Sequence, residues 1–255
     1  AYLLIKDRDD SSITFFARLY PNVRFDVPAP ATIELPEMGD CRTVVVYSGL
    51  DPKSEKVNWM AARLSTPYLA ILDADHQARP DWIRTSLCLL HEKKARIVQA
   101  ARGPLVARGF FSLWDSLHQH VGCEVFNVAF SALRLPVFFT GTTAVMETDL
   151  LKAHPLSRCL TEDVYFSYTI LKHGVRIIHN PYSGSDEETS PDLYSFLARR
   201  RRWSNGHTEA FFQHVCIPWA APVTIRERIQ FLLHGVHYLV SIAVFALHLL
   251  IGLLF

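Results

Sequence analysis

The sequence predicts an α/β protein with a largely parallel sheet that closes on a long apolar helix. Three observations carry this. Apolar runs of strand length alternate with helix-patterned segments through the first half of the chain. One of those runs, 68–72, breaks into the acidic turn LDADH. And 229–255 holds no Asp, Glu, Lys or Arg.

The elements follow in order. AYLLI is an apolar strand that stops at the polar turn KDRDDSS, and RTVVVYSG is a second strand ended by Gly49 and Pro52. KSEKVNWMAARLS has helical spacing. After the strand at 68–72, Pro80 opens a helix whose closing lysines suit the negative end of the helix dipole. ARIVQAA is the next strand. The stretch 110–135 is aromatic and helix-patterned, and VFFTGTTAVMETDLL reads as a strand, a glycine turn and a new start. Residues 183–192, SGSDEETSPD, read as a polar acidic loop.

Composition excludes several classes. Lys+Arg number 26 against 25 Asp+Glu, so the run Arg199–Arg200–Arg201–Arg202 is local and the chain is not a basic nucleic-acid-coating protein. Five scattered cysteines lack CxxC spacing, which argues against a disulfide framework or structural zinc and suits a reducing compartment. None of the 12 histidines forms HExxH. The helix at 229–255 would reach ~40 Å, more than a bilayer core of ~30 Å. Basic residues precede it, which reads that side as cytoplasmic. The abrupt N-terminus and the apolar C-terminus suggest a piece of a larger membrane protein.

Four constellations carry chemistry. Asp73 and Asp75 follow a buried strand, where open α/β sheets place their ligand crevice. Paired carboxylates there suit Mg²⁺ or Mn²⁺ with a substrate phosphate, or else simply cap the next helix. In CLTEDVYFSYTILKHG, Thr161 reads as an N-cap with Glu162 and Asp163 in the first turn. They complement the helix dipole, or one serves as a general base. In FFTGTTAVM, Gly141 lets a ligand approach the backbone closely. In the RRRRW helix, 100° spacing puts Arg199, Arg202 and Trp203 on neighbouring faces, Arg200 inside the apolar stripe and Arg201 outward. Guanidiniums beside an indole suit a diphosphate or a sugar ring, and a solvated basic face near a membrane is the other reading.

Taken together, Asp-Ala-Asp, Phe-Thr-Gly-Thr, Thr-Glu-Asp and Arg-Arg-Arg-Arg-Trp, followed by an apolar helix, resemble the processive family 2 glycosyltransferases, cellulose synthase and its relatives. Those enzymes carry Asp-x-Asp, Thr-Glu-Asp and Gln-x-x-Arg-Trp in this order, and the resemblance runs from Tyr2 to the C-terminus. It implies a GT-A-like (Rossmann-like) transferase domain over 1–215, lacking its first strand. An amphipathic connection at 216–228 and a transmembrane helix at 229–255 would follow. It implies a hexosyltransferase that extends a polysaccharide, a β-glucan, from UDP-glucose. The enzyme would sit in a bacterial inner or plasma membrane with its catalytic domain cytoplasmic, beside further transmembrane segments or subunits and without nucleic acid.

By the same resemblance, Asp73 and Asp75 hold the donor diphosphate through Mg²⁺ or Mn²⁺. Asp163 is the base that deprotonates the acceptor, with Glu162 beside it. Arg202 contacts the diphosphate, Trp203 stacks on the acceptor sugar, and Thr140, Gly141 and Thr142 lie near the acceptor's end. Asp7 and Lys56 fall on the nucleotide side. Two departures stand out. Arg199 replaces the family Gln at the acceptor, and Lys6–Asp7 replaces an Asp–Asp pair. A non-processive transferase acting on a lipid or glycan is the neighbouring alternative. A membrane scaffold would leave Asp73, Asp75 and Asp163 unexplained.

Overall fold

Val44 and Val46 are buried on one face of a short strand and pack with Met60 of the following helix. This is the core of the first of two compact units, Ala1–Ser65 and Thr66–Phe255. The structure, a computed structural model, describes residues 2–5, 31–34, 44–47, 49–105, 108–216, 219 and 222–254. In the first unit β1 (Tyr2–Ile5) pairs parallel with β3 (Val44–Tyr47), and β2 (Ala31–Glu34) pairs antiparallel with β3. Helix α1 spans Lys53–Ala61.

The second unit is built on five strands: β4 (Tyr68–Ile71), β5 (His76–Ala78), β6 (Ile97–Pro104), β7 (Ala144–Glu147) and β8 (Ile178–Glu187), in the order β4-β7-β6-β8-β5. Helix α2 (Trp82–Lys93) packs on it through Trp82 and Leu90, against Val98, Ala100 and Val145. The expected largely parallel sheet is corrected here. Only β6 and β8 pair parallel, and the other three pairings are antiparallel. Hydrophobic periodicity shows where strands are, not which way they run.

A long helical stretch leads from β6 to β7: α3 (Phe110–His120), one π-helical turn at Val121–Phe126, then α4 (Asn127–Ala132). Helix α5 (Thr148–Ala153) follows β7, and α6 (Glu162–Lys172) precedes β8. Residues 183–187 belong to β8, so the acidic loop expected at 183–192 is confined to its second half. The carboxylates that looked like loop residues are paired: Asp186 with Arg79 at 2.6 Å, Glu187 with Arg102 at 3.0 Å. Paired acids can sit in a sheet where free ones are disfavoured.

Helix α7 (Leu193–His214) carries the arginine run, and its N-cap Asp192 accepts the Ser195 N–H. Helix α8 (Ile225–Leu254) opens on a capping box, Thr224 and Glu227 exchanging bonds, with Arg176 paired to the same carboxylate. Its first half docks on the domain. Phe231 is buried with Tyr168 and Phe211, His234 stacks on Phe138 at 3.8 Å, and Gln230 Nε2 donates to the Pro136 carbonyl at 2.6 Å. Gly235 allows this closeness, since a β-carbon there would lie 1.9 Å from the Phe211 ring. Further along, Leu239, Val240, Val244, Leu247, Leu250 and Ile251 are exposed. Among the described residues this is the one helix long and apolar enough to cross a membrane.

Candidate active site

Register places the site. Ile71 at the end of β4 is opposite Ala144 at the start of β7, and Gln99 of β6 flanks the same residue. The turn after β4 therefore meets the loop before β7. The Asp73 N–H donates to Thr142 Oγ1 at 2.9 Å. Three residues further, β5 leaves this turn and pairs with β8 through His76 and Glu187.

Asp73, Asp75 and His76 offer ligand atoms within 4.8 Å of one another. Carboxylate oxygens with an imidazole suit a divalent ion of the Mn²⁺ or Mg²⁺ kind. The imidazole is already engaged. His76 Nε2 lies 3.0 Å from Glu187 Oε2, and Nδ1 lies 2.8 Å from Ser185 Oγ. Its side chain is nearly inaccessible, whereas half of the Asp75 side chain is exposed. The half-exposed Asp75 carboxylate can thus receive an ion, Asp73 stands beside it in the same group, and His76 holds the turn.

The glycine loop is clamped by a residue that sequence inspection missed. Gln99 Oε1 accepts the Thr140 N–H at 3.1 Å, while its Nε2 donates to the Thr142 and Thr143 carbonyls at 3.1 and 3.3 Å. Gln99 is completely buried. Between those anchors Gly141 takes φ +81° and faces Asp163. A second missed residue sets this approach. Ser167 Oγ accepts the Phe139 N–H at 2.9 Å and donates to the Asp163 carbonyl at 2.8 Å, tying α6 to the loop. Asp163 Oδ1 accepts the Val164 N–H at 2.8 Å, and Asp163 and Glu162 are half-buried in the first turn of α6. Thr161 is the N-cap, but its hydroxyl makes no capping bond. It lies under α7 instead, where a β-carbon at Gly206 would come 2.3 Å from its methyl.

The four arginines divide two and two. Arg200 donates to Asp115 Oδ1 at 2.7 Å, and Arg199 lies 3.3 Å from Asp115 Oδ2 and 3.7 Å from Glu187 Oε1. Arg201 and Arg202 are exposed. Arg200 thus sits in the apolar stripe because a buried acid receives it. Trp203 is half-buried, its ring centroid 4.9 Å from the Arg200 guanidinium and 5.9 Å from that of Arg199. Burial pushes the Asp115 carboxyl up, but the Ser190 N–H and the two guanidiniums outweigh it and hold it below the usual carboxylate range. Glu187 behaves alike. Burial raises it, and Arg102, His76 and Arg199 bring it below its ordinary value. Nothing in the residue pattern of α3 singles out Asp115. Of the remaining candidates, Lys56 is half-buried on α1 in the first unit, and Asp7 lies outside the described residues.

The described residues thus offer a paired-carboxylate turn, a glycine loop facing a half-buried aspartate, and a helix carrying arginines beside a tryptophan. The sequence profile described as "Glycosyl transferase family group 2" matches residues 68–255. The chain belongs to that family. It is 25% identical over 229 residues to the beta-1,4-mannosyltransferase bre-3 of Caenorhabditis briggsae, covering 80% of this chain and 49% of that protein. The chain thus spans about half the length of the curated relative it matches.

Its fold resembles that of the mannosyltransferase PcManGT from Pyrobaculum calidifontis, solved with GDP-Man and Mn²⁺. The TM-score is 0.57 at 16% identity, over 96% of this chain and 70% of that one. S. aureus TarS 1–349 with UDP-GlcNAc gives a TM-score of 0.56 at 10% identity, over 94% and 63%. The fold is a GT-A-like α/β fold with a mixed sheet.

Proposed function

We propose that the chain is the catalytic part of an inverting hexosyltransferase that moves a sugar from a nucleotide-sugar donor to a glycan acceptor. The observation that carries this is one linked corner. The Asp73 N–H is bonded to the Thr142 hydroxyl, and the same loop, at Gly141, faces Asp163. In this reading a carboxylate pair that would hold a divalent ion against the diphosphate and a carboxylate that would accept a proton meet at one glycine loop. Inverting transfer needs that pair, a base for the acceptor hydroxyl and charge compensation for the departing diphosphate.

In this reading Asp73 and Asp75 hold the divalent ion, which lends positive charge to the leaving diphosphate. Asp163 takes the acceptor proton, and Glu162 adds negative charge beside it. Arg202, exposed on α7, reaches the donor phosphates, and Trp203 offers its indole face to the acceptor sugar next to Thr140, Gly141 and Thr142. Lys56 and Asp7 remain assigned to the nucleotide.

Two sugars compete. The motif order resembles processive β-glucan synthases that use UDP-glucose. The 25% identical mannosyltransferase and the GDP-Man-bound structural neighbour favour mannose from GDP-mannose, without a processive mode. The exposed apolar half of α8 supports attachment to a bilayer, and with it an acceptor presented at a membrane. Membranes containing the whole protein, fed a panel of labelled nucleotide sugars, decide the donor, and linkage analysis decides the product. Asp163→Asn should abolish product with every donor while nucleoside diphosphate still binds. Product formed by that variant would remove Asp163 from the role of base.

A further inference from the structure

Arg199 occupies the position at which the resembling motif carries Gln, and its surroundings are unusual for a paired arginine. The two buried acids beside it are satisfied without it. Asp115 receives Arg200 at 2.7 Å and the Ser190 N–H at 2.9 Å. Glu187 receives Arg102 and His76, each at 3.0 Å. Arg199 reaches Asp115 only at 3.3 Å, Glu187 at 3.7 Å, and the Glu188 carbonyl at 3.4 and 3.5 Å, all at or beyond the long edge of hydrogen bonding. Three guanidiniums, Arg102, Arg199 and Arg200, thus face two carboxylates, and Arg199 is the least committed of them. Its side chain keeps 21% of its surface exposed.

Position then decides where the surplus charge acts. Glu188, whose carbonyl Arg199 touches, donates its N–H to the Asp75 carbonyl at 3.1 Å. Glu187, Arg199's weaker partner, also holds His76, the neighbour of Asp75 in sequence and in space. Arg199 therefore borders the paired-carboxylate corner through two separate links.

We infer that Arg199 is a donor-side cation: its guanidinium binds the diphosphate of the nucleotide sugar at the edge of the Asp73–Asp75 corner. The assignment rests on the transferase reading above and moves Arg199 from the acceptor to the leaving group. A guanidinium fork matches two phosphate oxygens, whereas a glutamine at the same place brings no charge. Part of the charge compensation otherwise left to a divalent ion is then built into this chain. Nucleoside diphosphate should bind measurably even without metal.

The test is calorimetric titration of GDP and of UDP into the full chain in detergent, once with EDTA and once with Mn²⁺. Arg199→Gln should weaken binding in EDTA about tenfold or more, the size of one lost charge-assisted hydrogen bond. Arg199→Lys should recover part of that loss, and Arg201→Gln should change nothing. Melting temperature should stay with the wild type in Arg199→Lys and Arg201→Gln and fall by only a few degrees in Arg199→Gln, because Asp115 and Glu187 lose one neighbouring charge but keep their other partners. Unchanged nucleotide binding in Arg199→Gln, or a defect confined to the acceptor KM, overturns the assignment alone. So does a loss of affinity that tracks a loss of stability and that Lys does not restore. A wild-type chain that binds neither nucleotide with or without Mn²⁺ overturns the transferase reading, and the assignment falls with it.

Discussion

A β-carbon added to Gly141 would lie 3.5 Å from Oδ2 of Asp163, so the glycine backbone and the aspartate carboxylate face each other across an ordinary van der Waals gap. Space alone would admit alanine. The backbone does not, because φ is +81°, where an L-residue is strained by about 1–2 kcal/mol. Gly141→Ala should therefore act through the loop and leave the core intact. We expect turnover to fall about tenfold, since about 1.4 kcal/mol of misplacement at the transition state is worth that factor. The melting temperature should drop by only a few degrees. Steady-state kinetics beside a thermal melt checks both, and unchanged turnover would detach the loop from the reaction.

Gln99 supports the same loop from below. It satisfies the Thr140 N–H and two carbonyls at once, from a fully buried position. Gln99→Leu keeps the volume but removes the partner of the Thr140 N–H and a donor to the Thr142 carbonyl, at about 1–3 kcal/mol for each buried group left unpaired, while the Thr143 carbonyl keeps the Ala100 N–H at 3.0 Å. Gln99→Glu should be worse, because a carboxylate would meet the Thr142 and Thr143 carbonyl oxygens. Denaturant midpoints should rank wild type above Leu and Leu above Glu. Acceptor KM should rise in both variants before donor affinity does.

These two residues show what the sequence disclosed and what it could not. Gly141 was legible because a glycine between threonines at a strand entrance advertises a close approach. Asp73, Asp75 and the end of β4 were legible because an apolar run that breaks into acids marks the edge of a sheet. Gln99 was not, since an amide inside an apolar strand looks like any polar interruption, and its partners lie 41 to 44 residues away. Asp115 was hidden in an aromatic helix for the same reason. Strand direction escaped too, because periodicity is the same for a strand read either way. The inequality of the arginines was seen from helical phase, but why Arg200 sits in the apolar stripe became plain only with Asp115 opposite it.

Asp75 and Asp73 should separate by how deeply each is tied in. The Asp73 backbone is bonded to Thr142, whereas half of the Asp75 side chain is exposed. Asp75→Ala should leave stability within about 0.5 kcal/mol, as exposed substitutions do. It should nonetheless remove most of the Mn²⁺-dependent increment in nucleoside diphosphate affinity. Titrations with Mn²⁺ and with EDTA give that increment directly, and the same increment in wild type and variant would rule out Asp75 as a ligand.

Asp115 carries the acid limb of stability. Its carboxyl ordinarily titrates near 3.8, and in the fold the Ser190 N–H, Arg199 and Arg200 outweigh its burial and hold it lower. A folded value below the unfolded one means that the charged form stabilises the native state. That stabilisation is fully present above the ordinary value of about 3.8 and is lost as pH falls through the folded one. Asp115→Asn leaves two guanidiniums facing a neutral amide, so at neutral pH it should cost about 3–5 kcal/mol, as removing one partner of a buried pair does. As pH falls below that ordinary value toward the lowered folded one, the wild type progressively forfeits the same interactions, so the gap between the two proteins should narrow. Glu187 and the other carboxylates are common to both, so the difference between their melting curves, followed from pH 7 down to pH 3, isolates Asp115. A gap that stays constant over that range would mean Asp115 contributes by packing and not by charge.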